Sequence, residues 1–207
     1  MDTEALLSGF EQALERDGFA GLTQEAIAEE AGVNRVTLYR RGVTREGLLA
    51  EATKALADGF RAASLEPLTA SGNARLRLER LMAVLFTAID AHGALLATLY
   101  DGPALLFHFR ADPGAATRLT RFEYTQPFAR LLRDGAADGS LASEDPEADA
   151  ELLFNAASWT YLHLRRSHGW SARRARTAVE RQALAFVLPA ERSQVVGEGK
   201  RRKRVAP

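Results

Sequence analysis

The chain has 207 residues, 46% of them hydrophobic and 26% charged, which is typical of a folded protein with one or two compact domains. It contains no cysteine, which excludes disulfide bonds, thiolate nucleophiles and the usual zinc cages. No apolar run approaches the roughly 18 residues that a membrane-spanning helix needs, and the N-terminus lacks a secretory pattern. We therefore expect a cytoplasmic protein without a membrane partner.

The formal net charge is zero, which argues against a protein that coats nucleic acid by bulk attraction. The distribution of charge is more informative than the sum. Residues 1–50 carry nine acids and five arginines, yet residues 31–45 carry four arginines and no acid. A small basic surface is therefore expected within an acidic N-terminal segment. Residues 200–204 are a separate run of five consecutive basic residues.

Apolar residues recur at helical spacing along almost the whole chain, which predicts an all-α fold. The first helix should span 3–17 and stop at Gly18. Thr23 can cap a short helix that ends at Gly32, and Asn34 can cap a third helix over 35–41. Two short helices separated by this four-residue turn make a helix-turn-helix.

A long amphipathic helix should follow from Thr44 to about Ser64, with a loop at 66–72. Further helices are expected to reach His92 and then to cover 94–100, 104–110, 116–138, 146–167 and 171–188, the last of them capped by Ser171. Pro127 predicts a kink or a boundary within the fourth of these six. The helix over 146–167 is apolar almost all round, which favours self-association through it, although the central helix of a monomer would have the same pattern.

The sequence LTQEAIAEEAGVNRVTLYRR at 22–41, continued by TREGLL at 44–49, resembles the DNA-binding domain of the tetracycline-repressor (TetR) family. The resemblance covers about the first 50 residues. It implies a helix-turn-helix DNA-binding domain at 1–46 and a helical effector-binding and dimerisation domain at 47–190. The basic tail at 191–207 is expected to be disordered, either adding nonspecific phosphate contacts or uninvolved in binding.

The residue types within the motif suit DNA recognition. Ile27, Ala28 and Leu38 fall on the expected buried side, and arginine, hydroxyl and aromatic groups face outward on the third helix. Arginine can bond guanine in the major groove, and apolar groups can meet thymine methyls. Residues at a helix N-terminus can hold phosphates. The predicted DNA-contacting residues are Thr23, Gln24, Asn34, Arg35, Val36, Thr37, Tyr39, Arg40, Arg41 and Arg45.

The motif departs from the family at one place. Family members usually carry His-Phe after the tyrosine pair, whereas this chain has Arg41-Gly42 followed by Val43. We infer that Val43 partly fills the place of the missing aromatic anchor and that Arg41 adds a phosphate contact.

The resemblance further implies a homodimeric repressor that pairs through its last two helices. A small, mainly apolar effector would release it from a palindromic operator in double-stranded DNA by changing the spacing of the recognition helices. Candidate ligand-lining residues are aromatic or polar members of the second domain. They are Phe86, His92, Tyr100, Phe107, His108, Phe122, Tyr124, Asn155 and Trp159.

No cofactor, metal site or enzymatic activity is predicted. His163 and His168 are five residues apart, which does not place them together on a helix face, and His92 and His108 have no ligand partner at helical spacing. Neither a nucleophilic triad motif nor a glycine-rich phosphate loop is recognisable. Two alternatives remain open. One is an activator or a regulator without a ligand, and the other is an all-α small-molecule-binding or protein-interaction module whose helix-turn-helix is vestigial.

Overall fold

A computed structural model describes residues 2–101 and 115–189, with side chains at 2–100 and 124–189. Within these ranges it has nine helices and no strand, which confirms the all-α prediction. The helices are α1 (Thr3–Gly21), α2 (Gln24–Glu30), α3 (Arg35–Arg40), α4 (Arg45–Thr69), α5 (Ala74–Ala91), α6 (Gly93–Asp101), α7 (Ala115–Asp138), α8 (Pro146–Arg166) and α9 (Ala172–Val187).

The helix starts follow from the predicted capping residues. The side chains of Thr23, Asn34 and Ser171 each accept a hydrogen bond from a backbone N–H in the first turn of the following helix. Gly18 has a φ of 65°, a left-handed conformation that interrupts α1 four residues before Leu22. The sequence signals for these boundaries are therefore confirmed.

Two helix boundaries that the sequence suggested are not observed in the described residues. α4 continues to Thr69 through a buried Pro67, so the predicted end at Ser64 is wrong and the connection to α5 spans only 70–73. α7 also runs through Pro127 without a boundary. Proline removes one helical hydrogen bond, and burial of its ring offsets part of that loss. The helix expected at 104–110 and the basic tail lie outside the described residues.

The helices form an N-terminal unit and a larger helical body. α1, α2 and α3 pack around Phe10, Leu14 and Leu38, and α1 also contacts α4 and α6 of the body. In the body, α7 packs against α8, α4 and α5, and α8 packs against α9. No single helix in the described part of the chain is long and apolar enough to cross a membrane. The pair α5 and α6 meets the length and composition test only when joined across an 89° bend.

Asp90 joins three helices of the body. Its carboxylate accepts hydrogen bonds from Tyr161 Oη, Arg165 Nε and Arg176 Nη2, all at 2.8 Å. The Tyr161 ring is fully buried and stacks on Phe86 with ring centroids 4.5 Å apart. Burial alone would raise the pKa of Asp90, but the hydrogen bonds from Arg165, Tyr161 and Arg176 outweigh it, so the pKa lies below its usual value. Asp90 thus fixes α8 and α9 against α5.

We expect Asp90→Asn to lower the free energy of unfolding by about 2 kcal/mol, because hydrogen bonds to a charged group are lost and two arginines lose their carboxylate. A group with a lowered pKa stabilises the fold above its unfolded pKa of about 3.9, and this contribution is lost as the pH falls through the lower folded value. In urea titrations the deficit of the variant should therefore be constant above about pH 5 and shrink below about pH 4. Asp58→Asn, which removes an exposed pair with Arg61, is the control and should change stability by less than about 0.5 kcal/mol.

Candidate DNA-binding surface

α2 and α3 form the predicted helix-turn-helix, and their turn is built from the backbone. Gly32 has a φ of 62°, and the N–H of Val33 returns to the carbonyl of Ala28 at 2.9 Å. Leu38 is fully buried and anchors α3 to the unit. Because a left-handed residue favours glycine, the turn needs Gly32 at this place.

α1 lies directly against this turn. A Cβ added at Gly9 would lie 2.5 Å from the backbone nitrogen of Ala31, so glycine lets the two backbones approach. Phe10, next in the chain, is fully buried. Any movement of α1 must therefore carry α2 and α3 with it.

The outward face of α3 exposes side chains that a folded monomer would ordinarily cover. Tyr39 is 77% exposed and Val36 is 61% exposed. Arg35, Arg40 and Arg41 are exposed beside them, and Thr37 is half-buried. An aromatic ring, an aliphatic group and three guanidinium groups on one short surface match the chemistry of the major groove and its flanking phosphates.

Four other predicted contact residues have internal roles. Thr23 and Asn34 cap α2 and α3, and Gln24 Nε2 donates to the carbonyl of Val43 at 2.8 Å. Arg45 Nη1 donates to the carbonyl of Leu22 at 3.0 Å, and its guanidinium lies over the Phe19 ring. These side chains hold α2, α3 and α4 together, so any DNA contact they make uses their remaining donors or their backbone.

Val43 is half-buried and packs against the hydrophobic core. It lies in the connection that Gln24 holds from α2, and Gly42 before it has a φ of 63°. This placement agrees with the inference that Val43 stands in for an aromatic anchor after the tyrosine pair. Arg41 is the C-terminal cap of α3 and remains exposed.

Sequence reasoning did not single out Glu25. Its carboxylate lies 2.5 Å from the Arg35 guanidinium, and both side chains are more than half exposed. The pair joins the first turns of α2 and α3. The only sign of it in the sequence is that an acidic residue lies in the first turn of α2. In this structure the guanidinium of Arg35 is therefore directed by Glu25.

We expect Glu25→Gln to strengthen binding to any DNA duplex about two- to fivefold, because Arg35 is released and a negative charge near the phosphates is lost. The gain should shrink as salt rises, and sequence discrimination should fall. The measurement is fluorescence anisotropy at two salt concentrations. Glu29→Gln makes the same charge change on α2 and is the control. Equal gains in the two variants would contradict a specific role for the Glu25–Arg35 pair.

The residues that form this surface match a known protein family. Residues 6–52 match the model described as bacterial regulatory proteins, tetR family. The match covers α1, α2, α3 and the start of α4, so the N-terminal unit is a DNA-binding domain of TetR type. The chain is accordingly a DNA-binding transcriptional regulator. A search of curated proteins found no match.

Solved structures share the whole TetR-type fold. A TetR/AcrR-family regulator from Thermobifida fusca is 20% identical, with 88% of this chain and 96% of that chain covered and a TM-score of 0.67. The ketosteroid regulator KstR2 of Mycobacterium tuberculosis is 18% identical over 91% and 95%, with a TM-score of 0.70. SmeT, the repressor of a Stenotrophomonas maltophilia multidrug efflux pump, is 19% identical over 92% of each chain, with a TM-score of 0.64. At these identities the likeness shows a common fold.

The body of this TetR-type chain contains a small apolar cavity. Tyr100 and Tyr124 are the predicted ligand residues that line it, and Tyr100 Oη lies 3.0 Å from Ser158 Oγ. Burial raises the pKa of the Tyr100 hydroxyl against the opposing effect of Ser158, so the hydroxyl stays neutral. Sequence reasoning missed several lining residues, which carry only the ordinary pattern of core helices. They include Leu56, Phe60, Leu85, Leu96, Phe154 and Ser158.

The other predicted ligand residues lie elsewhere. Phe86 is in the core on Tyr161, His92 is at the contact with α1, and Asn155 is exposed. Trp159 is 45% exposed and tilts against the outer side of Tyr100, with ring centroids 4.8 Å apart. Phe107 and His108 lie outside the described residues, as does the side chain of Phe122.

His163 and His168 are in contact at the C-terminal end of α8. The rings of His163 and His168 meet edge to face with centroids 4.9 Å apart. α8 ends at Arg166, and the turn through Gly169, with a φ of 62°, folds His168 back. Spacing along a continuous helix did not predict this contact, because His168 lies in the turn beyond the end of α8. Within the described part of the chain no group of three or more potential metal ligands is present.

Proposed function

We propose that this TetR-type regulator is a homodimeric repressor that binds an inverted-repeat operator through α3 and leaves it when a small apolar molecule enters the body. The exposed surface formed by Arg35, Val36, Tyr39 and Arg40 carries the proposal, because these exposed side chains have the chemistry of base reading. In this proposal residues 1–46 form the DNA-binding domain, and residues 47–190 form the domain that binds the effector and dimerises. Such a repressor acts in the cytoplasm, where the operator lies.

Dimerisation is supported by an apolar groove on the outer side of α8 and α9. Leu152 is 55% exposed and Phe186 is 47% exposed at its edges. The other residues that line it are Leu153, Ala156, Ala157, Val179, Gln182 and Ala183. Uncharged faces of this kind on two adjacent helices are typical of homodimer interfaces. A two-fold axis would place this groove against the same groove of a second copy, so that α8 and α9 of both copies form a four-helix interface.

Effector binding is supported by the cavity between α4, α5, α6, α7 and α8. Its lining has no charged side chain among the described residues and its wall is apolar, since the hydroxyl groups of Tyr100 and Ser158 are bonded to each other. The cavity measures about 20 Å³, enough for one water molecule, so a neutral, largely apolar effector would enter it only if the surrounding helices moved apart. The proposed role is binding alone, without a catalytic step.

The experiment is selection of bound duplexes from a random DNA library, followed by sequencing. We expect an inverted repeat, because two copies related by a two-fold axis present two identical α3 surfaces. The Arg35→Ala variant is the control and should lose enrichment at one position in each half-site. If no sequence is enriched at low salt, the proposed function is wrong and the apolar body becomes the place to look for activity.

A further inference from the structure

Two acidic residues of α1 contact the body from the N-terminal unit. Glu11 and Glu15 are four residues apart and therefore share one face of the helix. Glu11 Oε2 lies 2.7 Å from His92 Nδ1, at the corner between α5 and α6. Glu15 accepts two hydrogen bonds from Arg166 Nη1 at 2.9 and 3.1 Å, at the end of α8. We call these four residues the interdomain clasp.

The clasp joins the parts of the molecule that must move together. α1 is fixed to the helix-turn-helix by the close approach of Gly9 to Ala31. Arg166 ends α8, whose outer side carries the apolar groove, and its guanidinium passes within 3.2 Å of the place where a Cβ would stand on Gly93. The clasp therefore ties the orientation of α3 to the corner of α5 and α6 and to α8.

We propose that Glu11, Glu15, His92 and Arg166 are positioning residues that hold the DNA-binding domain at the angle needed for operator binding, and that protonation of His92 adjusts this hold. The inference rests on the proposed function. A restrained pair of DNA-binding domains loses less orientational freedom on binding than a loosely attached pair. Opening the clasp should therefore weaken operator binding without removing any group that touches DNA.

The two contacts of the clasp differ in chemistry. The Glu15–Arg166 pair stays charged through the physiological range, because arginine does not deprotonate there. The Glu11–His92 pair is a charged hydrogen bond only when the imidazole is protonated. The hydrogen bond from Glu11 raises the pKa of His92 and outweighs the opposing effect of burial. Protonation therefore strengthens the clasp, and this added free energy is lost as the pH rises from about 6.5 through the raised pKa of His92.

The surroundings of His92 leave Glu11 as its direct partner. The charged residues that border the same cleft are Glu4, Glu11 and Glu15 from α1, Asp90 from α5, and Arg165 and Arg166 from α8. Asp90 is held by Tyr161, Arg165 and Arg176, and Arg166 is held by Glu15. α4 and α6 border the cleft through the uncharged Ala55, Gly93, Ala94 and Leu95.

The test measures operator affinity of the full chain between pH 6 and pH 8.5 by fluorescence anisotropy, on the duplex obtained by selection. In the wild type we expect the dissociation constant to rise about two- to fivefold between pH 6 and pH 8.5. A change of this size corresponds to the free energy of a partly exposed ion pair. Glu11→Gln and His92→Gln should abolish this rise, the second while keeping an uncharged hydrogen bond to Glu11. Glu15→Gln should weaken binding at every pH and keep the rise.

Glu51→Gln is the matched control, because Glu51 is an exposed acid on α4 and its loss changes the net charge equally. It should follow the wild-type profile. A rise that persists unchanged in Glu11→Gln and His92→Gln, or a profile of the opposite sign, would overturn the proposal.

Titration of the histidine ring protons by NMR tests the clasp without DNA. The His92 signal is assigned by its absence in His92→Gln. Its titration should give a pKa above the usual value of about 6.5 in the wild type and a lower pKa in Glu11→Gln. An unchanged value in Glu11→Gln would also overturn the proposal. If no DNA sequence is selected, the proposed function fails while this measurement still decides whether the clasp forms.

Discussion

Gly9→Ala is expected to destabilise the DNA-binding domain by about 3 kcal/mol, at the upper end of overpacking effects. The added methyl group would lie 2.5 to 2.7 Å from the backbone nitrogen, Cα and Cβ of Ala31. No flexible side chain can yield there, because two of the three atoms belong to the backbone of the helix-turn-helix turn. α1 would have to move away from α2. Amide hydrogen exchange in α1, α2 and α3 should then become faster, and operator affinity should fall.

Gly59→Ala is the control for this substitution. Gly59 also lies inside a helix, α4, and an added Cβ would meet no atom within 4 Å. Alanine at an open helical position stabilises a protein by about 0.5–1 kcal/mol. The two variants should therefore change stability in opposite directions. Equal stability of Gly9→Ala and the wild type would contradict the close approach of α1 to the turn.

Leu152→Asp is expected to raise the dissociation constant of the dimer at least about a hundredfold, which corresponds to about 3 kcal/mol. The two-fold axis doubles the effect of one substitution, since each copy loses one buried leucine and gains one carboxylate in an apolar groove. Sedimentation velocity at micromolar concentration should show a monomer. Operator binding should weaken as well, because a monomer reads a single half-site.

Leu65→Asp controls for the general effect of a charge on an exposed leucine. Leu65 lies on α4, away from the groove, and is 61% exposed, compared with 55% for Leu152. This variant should remain dimeric and keep its affinity for DNA. A monomeric Leu65→Asp, or a dimeric Leu152→Asp, would place the interface elsewhere than on α8 and α9.

Features set by local chemistry could be predicted from the sequence. Thr23, Asn34 and Ser171 are capping residues at the ends of periodic segments, and the structure uses each of them as a cap. The motif with Leu38 inside and Tyr39 outside predicted the exposed face of α3, because burial alternates with helical period. The length of α4 was not predictable, since Pro67 is tolerated there only through tertiary burial.

The missed features depend on contacts between distant parts of the chain. His92 was expected to line a ligand cavity, yet it meets Glu11, which is 81 residues earlier. Phe60, Phe154 and Ser158 line the cavity together with Tyr100 and Tyr124, although each of them fits an ordinary core pattern. The contact of His163 with His168 depends on the turn after α8. Sequence spacing cannot supply such contacts, because they are fixed by how the helices pack.

A symmetric dimeric repressor is tested by measuring its binding to the selected inverted repeat after insertion of five base pairs between the half-sites. The inserted base pairs add about half a helical turn, which places the second half-site on the opposite side of the duplex. There it is out of reach of the second α3 of the same dimer. We expect affinity to fall to that of a duplex with a single half-site, whereas insertion of a sequence-neutral segment outside the repeat should have no effect. Undiminished affinity after the internal insertion would contradict a symmetric dimer that reads two half-sites at once.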